Sequence, residues 1–387
     1  MRILPMHMRF LPLLIVLFTG FLVGCGDAQQ NRIKAQFPLM WQGYQHAFIS
    51  PQGRVVDASF ADQRTTSEAQ AYALFFALVA DDRKLFAQLL DWTQQNLSQG
   101  DLGTHLPAWL WGKRTDGQWG VIDDNTASDA DLWMAYTLIQ AGRLWRQPEY
   151  TQKGEGLAGL ITQREVVFIS GHGPLLLPGL KGFGPDAQGC VTFNPSYLPL
   201  PVVQFMAFTF GSPWRAMTTQ LPNLIEQSAP RGFPADWVSI CPDKPVTLPA
   251  PNRELTSSYD AIRTYLWVGM TSPESPEFKP IMDALWGMTN FLGTHALPPE
   301  IVDVLDGTTK NTGPVGFSAA VLPFLLAQNK QHAYEQQLKR VLDTPQASGL
   351  IGTHPAYYDQ NLGLFALGFL GKYYRFKKNG TLEVRWQ

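Results

Sequence analysis

Three acidic positions in this 387-residue chain each open an otherwise apolar stretch. Glu68 sits in Thr66-Ser67-Glu68-Ala69-Gln70-Ala71-Tyr72, Asp129 in Ala127-Ser128-Asp129-Ala130-Asp131-Leu132-Trp133, and Asp260 in Ser258-Tyr259-Asp260-Ala261-Ile262-Arg263. Singly, Glu68 reads as an acid favoured in a first helical turn by the helix dipole after a Ser or Thr cap, Asp129 with Asp131 as a capping pair at a helix start, and Asp260 as half of an ion pair with Arg263. Asp129 and Asp131, two residues apart, cannot share a helix face, which predicts one carboxyl pointing inward and the other capping. An inward acid ahead of Leu132-Trp133-Met134-Ala135-Tyr136 enters apolar surroundings, which raise a carboxyl pKa unless it is paired. Asp260 and Arg263 are three apart and so form neighbours on a helix. Similar carboxylates at the starts of three buried helices gather at one mouth if the helices form a ring. Cleaving a glycosidic bond takes one carboxylic acid to protonate the leaving oxygen and a second carboxylate to activate water or attack carbon. The residue types meet that need.

Helical periodicity recurs along the chain in about a dozen segments between residues 37 and 370. Some are apolar on most faces, as in 71–79, while their successors are amphipathic, as in 84–97. A helix apolar all round is buried, so the alternation predicts an inner ring wrapped by an outer one. The expected fold is all-α: six helical hairpins closed into an (α/α)6 barrel. Long Pro- and Gly-rich loops interrupt the pattern at residues 99–128, 170–196 and 230–257, a length that is usually functional or disordered. Their aromatic residues, Trp109, Trp111, Trp119, Phe183, Phe193 and Trp237, favour cleft walls. Sugars present apolar C–H faces to flat rings, so Trp109, Trp111 and Trp119 are candidate substrate platforms. The tail from 373 to 386 alternates around Asn379-Gly380, a β-hairpin signal. No linker divides the chain.

Arg2 and Arg9 precede an apolar run at 10–23 that is too short to span a bilayer and reads as an export signal. The run ends in Leu22-Val23-Gly24-Cys25, the pattern of a bacterial lipobox, so residues 1–24 are expected to be removed and Cys25 lipidated. With Gly26 next, tethering to the outer membrane facing the periplasm is expected, and contact with membrane only through that lipid. The remainder, 25–387, reads as one catalytic domain. Losing Arg2 and Arg9 takes the formal charge from −2 to −4, which excludes a nucleic-acid binder's balance. Cys190 and Cys241 then remain as candidates for one disulfide in an oxidising compartment, if their Cα atoms come within about 7 Å. No His/Cys cluster suggests a metal, and no cofactor is expected.

The run Ala127-Ser128-Asp129-Ala130-Asp131-Leu132-Trp133-Met134-Ala135-Tyr136-Thr137-Leu138-Ile139-Gln140-Ala141-Gly142-Arg143-Leu144-Trp145 closely resembles the signature of glycoside hydrolase family 8. The segments at 66–72, Trp109-Leu110-Trp111-Gly112-Lys113, Asp116-Gly117-Gln118-Trp119, Asn194-Pro195-Ser196-Tyr197 and 258–267 are similar to that family too, in family order. The resemblance covers nearly the whole mature chain, and is strongest to the members that accompany cellulose synthase in the bacterial periplasm. It implies an (α/α)6 barrel, endo-acting hydrolysis of a β-1,4-glucan such as cellulose with inversion, no metal, and a cellulose synthesis and export complex as a possible partner. By the same resemblance Glu68 is the general acid, Asp129 holds the distorted sugar at the cleavage point, and Asp260 is the base that activates water. Arg263 lies beside Asp260, and Tyr197 lies near the cleaved bond. Two positions depart from the family: Ala69 replaces a glycine, where a methyl would crowd the cleft, and Thr137 replaces Ser or Ala. Xylan or chitosan as substrate, and a non-catalytic glucan-binding lipoprotein, are the competing readings. All three carboxylates being present argues against the last.

Overall fold

The protein is described from a computed structural model, covering residues 16–343 and 348–387, with side chains from Ala28 onward. Residues 1–15 of the export signal, and the side chains of its remainder and of Cys25, lie outside the described residues. The helices are α1 (Val16–Phe48), α2 (Ser67–Val79), α3 (Arg83–Leu97), α4 (Ser128–Trp145), α5 (Pro148–Arg164), α6 (Leu200–Phe210), α7 (Trp214–Ser228), α8 (Ile262–Met270), α9 (Phe278–Ala284), α10 (Trp286–Leu292), α11 (Val315–Ala327), α12 (Gln331–Asp343) and α13 (Tyr357–Leu370).

The apolar helices form the inner ring, in the order α2, α4, α6, α8, α11, α13, and α13 closes against α2. In α11 every residue from Val315 to Leu325 is buried, and in α2 Glu68 alone escapes burial. The amphipathic helices lie outside: α3 on α2, α5 on α4, α7 on α6, α12 on α11. α3, for example, buries only Phe86, Leu89, Leu90, Trp92, Thr93 and Leu97. α1 is the outer partner of α13, so the two ends of the chain complete the sixth hairpin. The ring is therefore the (α/α)6 barrel expected from periodicity. α1 begins well before residue 37, because Ile33, Phe37, Met40, Trp41 and Tyr44 form one buried helical stripe that runs through Pro38. Between α8 and the strand Pro299–Asp303 the chain forms two short helices, α9 and α10, that meet at Leu285.

Aromatic rings fill the barrel. Phe365 of α13 meets Tyr72, Trp133 and Trp267 from three other inner helices at ring separations of 5.0, 5.1 and 5.2 Å. Truncating such a ring to alanine costs about 3–5 kcal/mol. Gly269 allows α8 to touch α11, since a Cβ there would lie 2.3 Å from the backbone nitrogen of Phe324.

The long loops carry short strands. Strand Leu110–Lys113 pairs antiparallel with Thr65–Thr66 and with Trp119–Asp123. Val191–Phe193 pairs with Val238–Ile240, and Thr256–Ser257 with Pro299–Asp303, which pairs in turn with Thr309–Thr312. The ladders were hidden from sequence because each is two to five residues long, shorter than a window in which alternation can be read. The C-terminal hairpin pairs Tyr374–Phe376 with Leu382–Val384, as the Asn379-Gly380 turn predicts.

Candidate active site

The starts of α2, α4 and α8 meet at one mouth of the barrel, and a single guanidinium ties their acids together. Arg263, in the first turn of α8, donates from Nη1 to Glu68 Oε2 at 2.5 Å and to Asp129 Oδ2 at 2.8 Å. Its Nη2 donates to Asp260 Oδ1 at 2.7 Å and to Ser196 Oγ at 3.2 Å. Tyr72 Oη lies 3.4 Å from Nη1, and the ring of Tyr197 lies 5.4 Å beneath the guanidinium. The three carboxylates picked out in the sequence are thus brought to one cluster, with Arg263 and Tyr197.

Local structure differs from expectation in three places. Asp129 and Asp131 are both buried, and neither acts as the N-cap, which is Ala127. Asp129 Oδ1 accepts the N–H of Ala130 at 2.9 Å, while Asp131 turns into the wall towards Glu165, whose Oε1 accepts from the Thr126 hydroxyl at 2.5 Å. Asp260 does not open α8 but stands in the turn before it. The Ala69 methyl is packed in the core at 3 % exposure and does not reach the cleft. On α2 the cap is Thr66, whose hydroxyl accepts from the N–H of Ala69 and leaves Glu68 free to face the mouth.

Exposure separates the acids. The side chains of Glu68 and Asp260 are 21 % and 28 % exposed, whereas Asp129 is 4 % and Arg263 3 %. Burial pushes the Glu68 carboxyl up to about 7; Arg263 opposes this, and the charges of Asp129 and Asp260 add to it. Glu68 therefore holds its proton to a higher pH than a free carboxyl, close to neutrality. Burial raises Asp129 as well, against the pull of Arg263. Arg263 stays charged: burial works against it, and the facing Tyr72, Glu68 and Asp129 outweigh that. The mouth therefore presents a protonated acid and a second carboxylate that water can reach, with a buried charge behind them.

Aromatic walls flank the cluster. Trp119 lies two residues from Val121, the cross-strand partner of Trp111, so the two indoles share a face as a diagonal pair. They stack at 5.5 Å, Trp119 is 47 % exposed, and Arg54 lies over both rings. Trp111 is half-buried and packs edge-on against Trp92. Trp109 is half-buried at the head of the same strand, its backbone tied to Ser67 and Asn125. On the Asp260 side Phe183 and Trp237 stack at 5.8 Å, Tyr197 is tilted against Trp237, and Arg253 covers the indole. Cys190 and Cys241 form a disulfide, with a Cα separation of 4.1 Å, at the end of the ladder that carries Phe193 and Trp237's neighbour Val238. Among the described residues no group of His, Cys, Asp and Glu could hold a metal ion, and no helix is long and apolar enough to cross a membrane.

Sequence reasoning did not single out Tyr72, Ser196, Arg54 or Asp236. Tyr72 and Ser196 were inside the motifs already noted, one helical turn from Glu68 and one residue from Tyr197. Arg54 lies in a segment with no distinguishing pattern, and Asp236 stands beside Trp237 in the 230–257 loop, where nothing marks it apart from the chain's other acids.

Known proteins resemble this chain over most of its length. The Glycosyl hydrolases family 8 model matches residues 17–372. An endoglucanase of Escherichia coli O157:H7 is 44 % identical over 346 residues, covering 89 % of this chain and 90 % of its own. An endoglucanase of Xanthomonas axonopodis pv. citri is 41 % identical, over 90 % of this chain and 89 % of its own. The crystal structure of an endo-1,4-D-glucanase from Vibrio fischeri superposes with a TM-score of 0.80 at 36 % identity, covering 90 % of this chain and 99 % of that one.

Proposed function

The chain belongs to glycosyl hydrolase family 8, and from that membership we propose that it cuts β-1,4-linked glucan internally, with inversion at the anomeric carbon. Glu68 gives its proton to the leaving glycosidic oxygen as the C1–O bond breaks. Asp260 takes a proton from a water that attacks C1 from the opposite face. Asp129, buried behind them, places negative charge near the positive charge that develops on the sugar ring. Arg263 holds the three acids in register, and the Trp111–Trp119 and Phe183–Trp237 pairs, with Tyr197, give apolar faces for sugar rings on either side.

What carries the reading is the Arg263 bridge: one cation binds three acids, and the acid held near 7 is the partly exposed Glu68. A partly exposed acid held near 7 beside a second, water-accessible carboxyl group is the pair that two-carboxylate glycoside hydrolysis requires; inversion is taken from the resemblance to family 8. The test is incubation of the mature protein with carboxymethyl-cellulose, xylan and chitosan, with measurement of new reducing ends. Release from the glucan with loss of activity in Glu68→Gln supports the proposal. Preference for xylan or chitosan redirects the substrate, and no release from any polymer favours the binding-protein reading.

The same proposal extends to the cell. A lipid on Cys25 holds the barrel at the periplasmic face of the outer membrane, beside the cellulose synthesis and export complex, where a newly made glucan passes. The Leu22-Val23-Gly24-Cys25 run and the strength of the resemblance to endoglucanases of cellulose-producing systems support it.

A further inference from the structure

Asp236 has no part in the chemistry above, yet it is a buried carboxylate, 6 % exposed, placed directly behind Asp260. Its Oδ1 accepts the backbone N–H of Ser258 at 2.9 Å and of Ala261 at 2.8 Å. Its Oδ2 accepts the Thr256 hydroxyl at 2.8 Å, and its own N–H donates to Thr256 O at 2.7 Å. Four hydrogen bonds thus join one residue to the short segment that presents Asp260.

The first N–H groups of α8, on Ile262, Arg263 and Thr264, bond to the carbonyls of Ser258, Asp260 and Ala261, so the start of the helix depends on the shape of the turn that precedes it. α8 has Ala261 at its N-cap and no capping side chain of its own. We propose that Asp236 is the positioning residue for Asp260: it takes the N–H groups of Ser258 and Ala261 in the turn that leads into α8 and fixes the 258–261 segment, so that the Asp260 carboxylate is aimed at the water it activates. The proposal rests on the reading of Asp260 as the base. Asp236 also borders the substrate wall, since Trp237 follows it and the Val238–Ile240 strand follows that. The turn and the aromatic platform are therefore held by one short stretch of chain.

Hydrogen bonds, not charge, do this work. Burial, followed by the charge of Asp260, pushes the Asp236 carboxyl up to about 6, and Oδ1 accepts the two N–H groups in either protonation state. An asparagine keeps that oxygen, and its amide faces the Thr256 hydroxyl, which can turn to accept. Asp236→Asn should therefore keep turnover within about threefold of wild type. Asp236→Ala leaves the buried N–H of Ala261 and the partly buried N–H of Ser258 without an acceptor and lets the turn shift. A misplacement of about 1 Å costs on the order of 100-fold, so kcat on cellohexaose should fall on the order of 10- to 100-fold, with KM nearly unchanged.

The experiment is a double-mutant cycle in the full mature protein, comparing Asp236→Ala, Asp260→Asn and both together, with Asp236→Asn as the rescue. If Asp236 acts through Asp260, adding Asp236→Ala to Asp260→Asn costs nothing further. Multiplying effects, wild-type kcat in Asp236→Ala, or an asparagine variant as poor as the alanine one would each overturn the proposal. Should Asp236→Ala fail to fold, Asp236→Glu, which displaces the oxygens by one methylene, must show the same loss confined to kcat; unchanged kcat overturns it. An Asp260→Asn enzyme that turns over normally sinks the base assignment itself, and so is distinguishable from failure at Asp236.

Discussion

Replacing Asp129 by asparagine should move the alkaline limb of the pH–rate profile to lower pH. Glu68 must be protonated to act as an acid, so kcat/KM falls as pH rises through its folded value of about 7. Asp129→Asn removes a charge that disfavours ionisation of Glu68 and frees Arg263 to favour it; both effects lower the Glu68 pKa. The two carboxylate oxygens bond the same nitrogen at 2.5 and 2.8 Å, which places them roughly 5 Å apart or closer. At about 5 Å and an effective dielectric near 20, Coulomb's law gives about 3 kcal/mol, or roughly two pKa units. Glu68 is one-fifth exposed, and water screens part of that. A downward shift of about one unit is expected. The assay is kcat/KM on cellohexaose from pH 4 to 9; this substrate is neutral, so only the enzyme titrates. The plateau will also drop, because Asp129 faces the developing positive charge, but the position of the limb is the readout. A limb that stays in place or moves up would refute the electrostatic coupling and, with it, the account of how Glu68 holds its proton.

Trp119→Ala should weaken cellohexaose binding on the order of tenfold, about 1.4 kcal/mol, while stability changes within about 0.5 kcal/mol, as at other exposed positions; a larger loss of stability than of binding would return Trp119 to the core. The buried Asp131–Glu165 pair makes stability pH-dependent. Both acids are raised, Glu165 to about 7, chiefly by burial. Their contribution is thus full below the ordinary carboxylate range and is lost as pH climbs through about 7. Melting temperature should therefore fall between pH 5 and 8, and Asp131→Asn should flatten that fall; an equal slope in both proteins would contradict it. Cys25→Ser should release the protein from outer-membrane fractions and remove the acyl mass from its N-terminus, since tethering needs the chains on that residue; unchanged fractionation and mass would exclude lipidation.

Much of the barrel was legible because its helices differ in how many faces are apolar. α11 and α3 show the two extremes, one buried from Val315 to Leu325 and the other along a single stripe. The short ladders of the mouth were not legible: Thr65–Thr66 is two residues long, and its place is set by pairing with a strand 44 positions on, Thr66 opposite Leu110. In the site, Glu68, Asp129 and Asp260 were found as types at helix starts. The Asp260–Arg263 pair was readable as an i, i+3 contact, whereas the contacts of Arg263 with Asp129 and Glu68 span 134 and 195 residues and leave no local trace. Asp236 shows the same limit, because its function is to receive N–H groups 22 and 25 residues away, and backbone donors carry no residue type to read.

The stereochemistry of the first product tests the assignment of Glu68 and Asp260 most directly. Proton NMR of cellohexaose during hydrolysis by the wild-type protein, read before mutarotation mixes the anomers, reports which face of C1 water attacked. An acid and a base separated by a water molecule predict that the newly formed reducing end appears first as the α anomer. A β anomer appearing first would mean a covalent intermediate and two displacements, and would contradict the roles of Glu68 as acid and Asp260 as base.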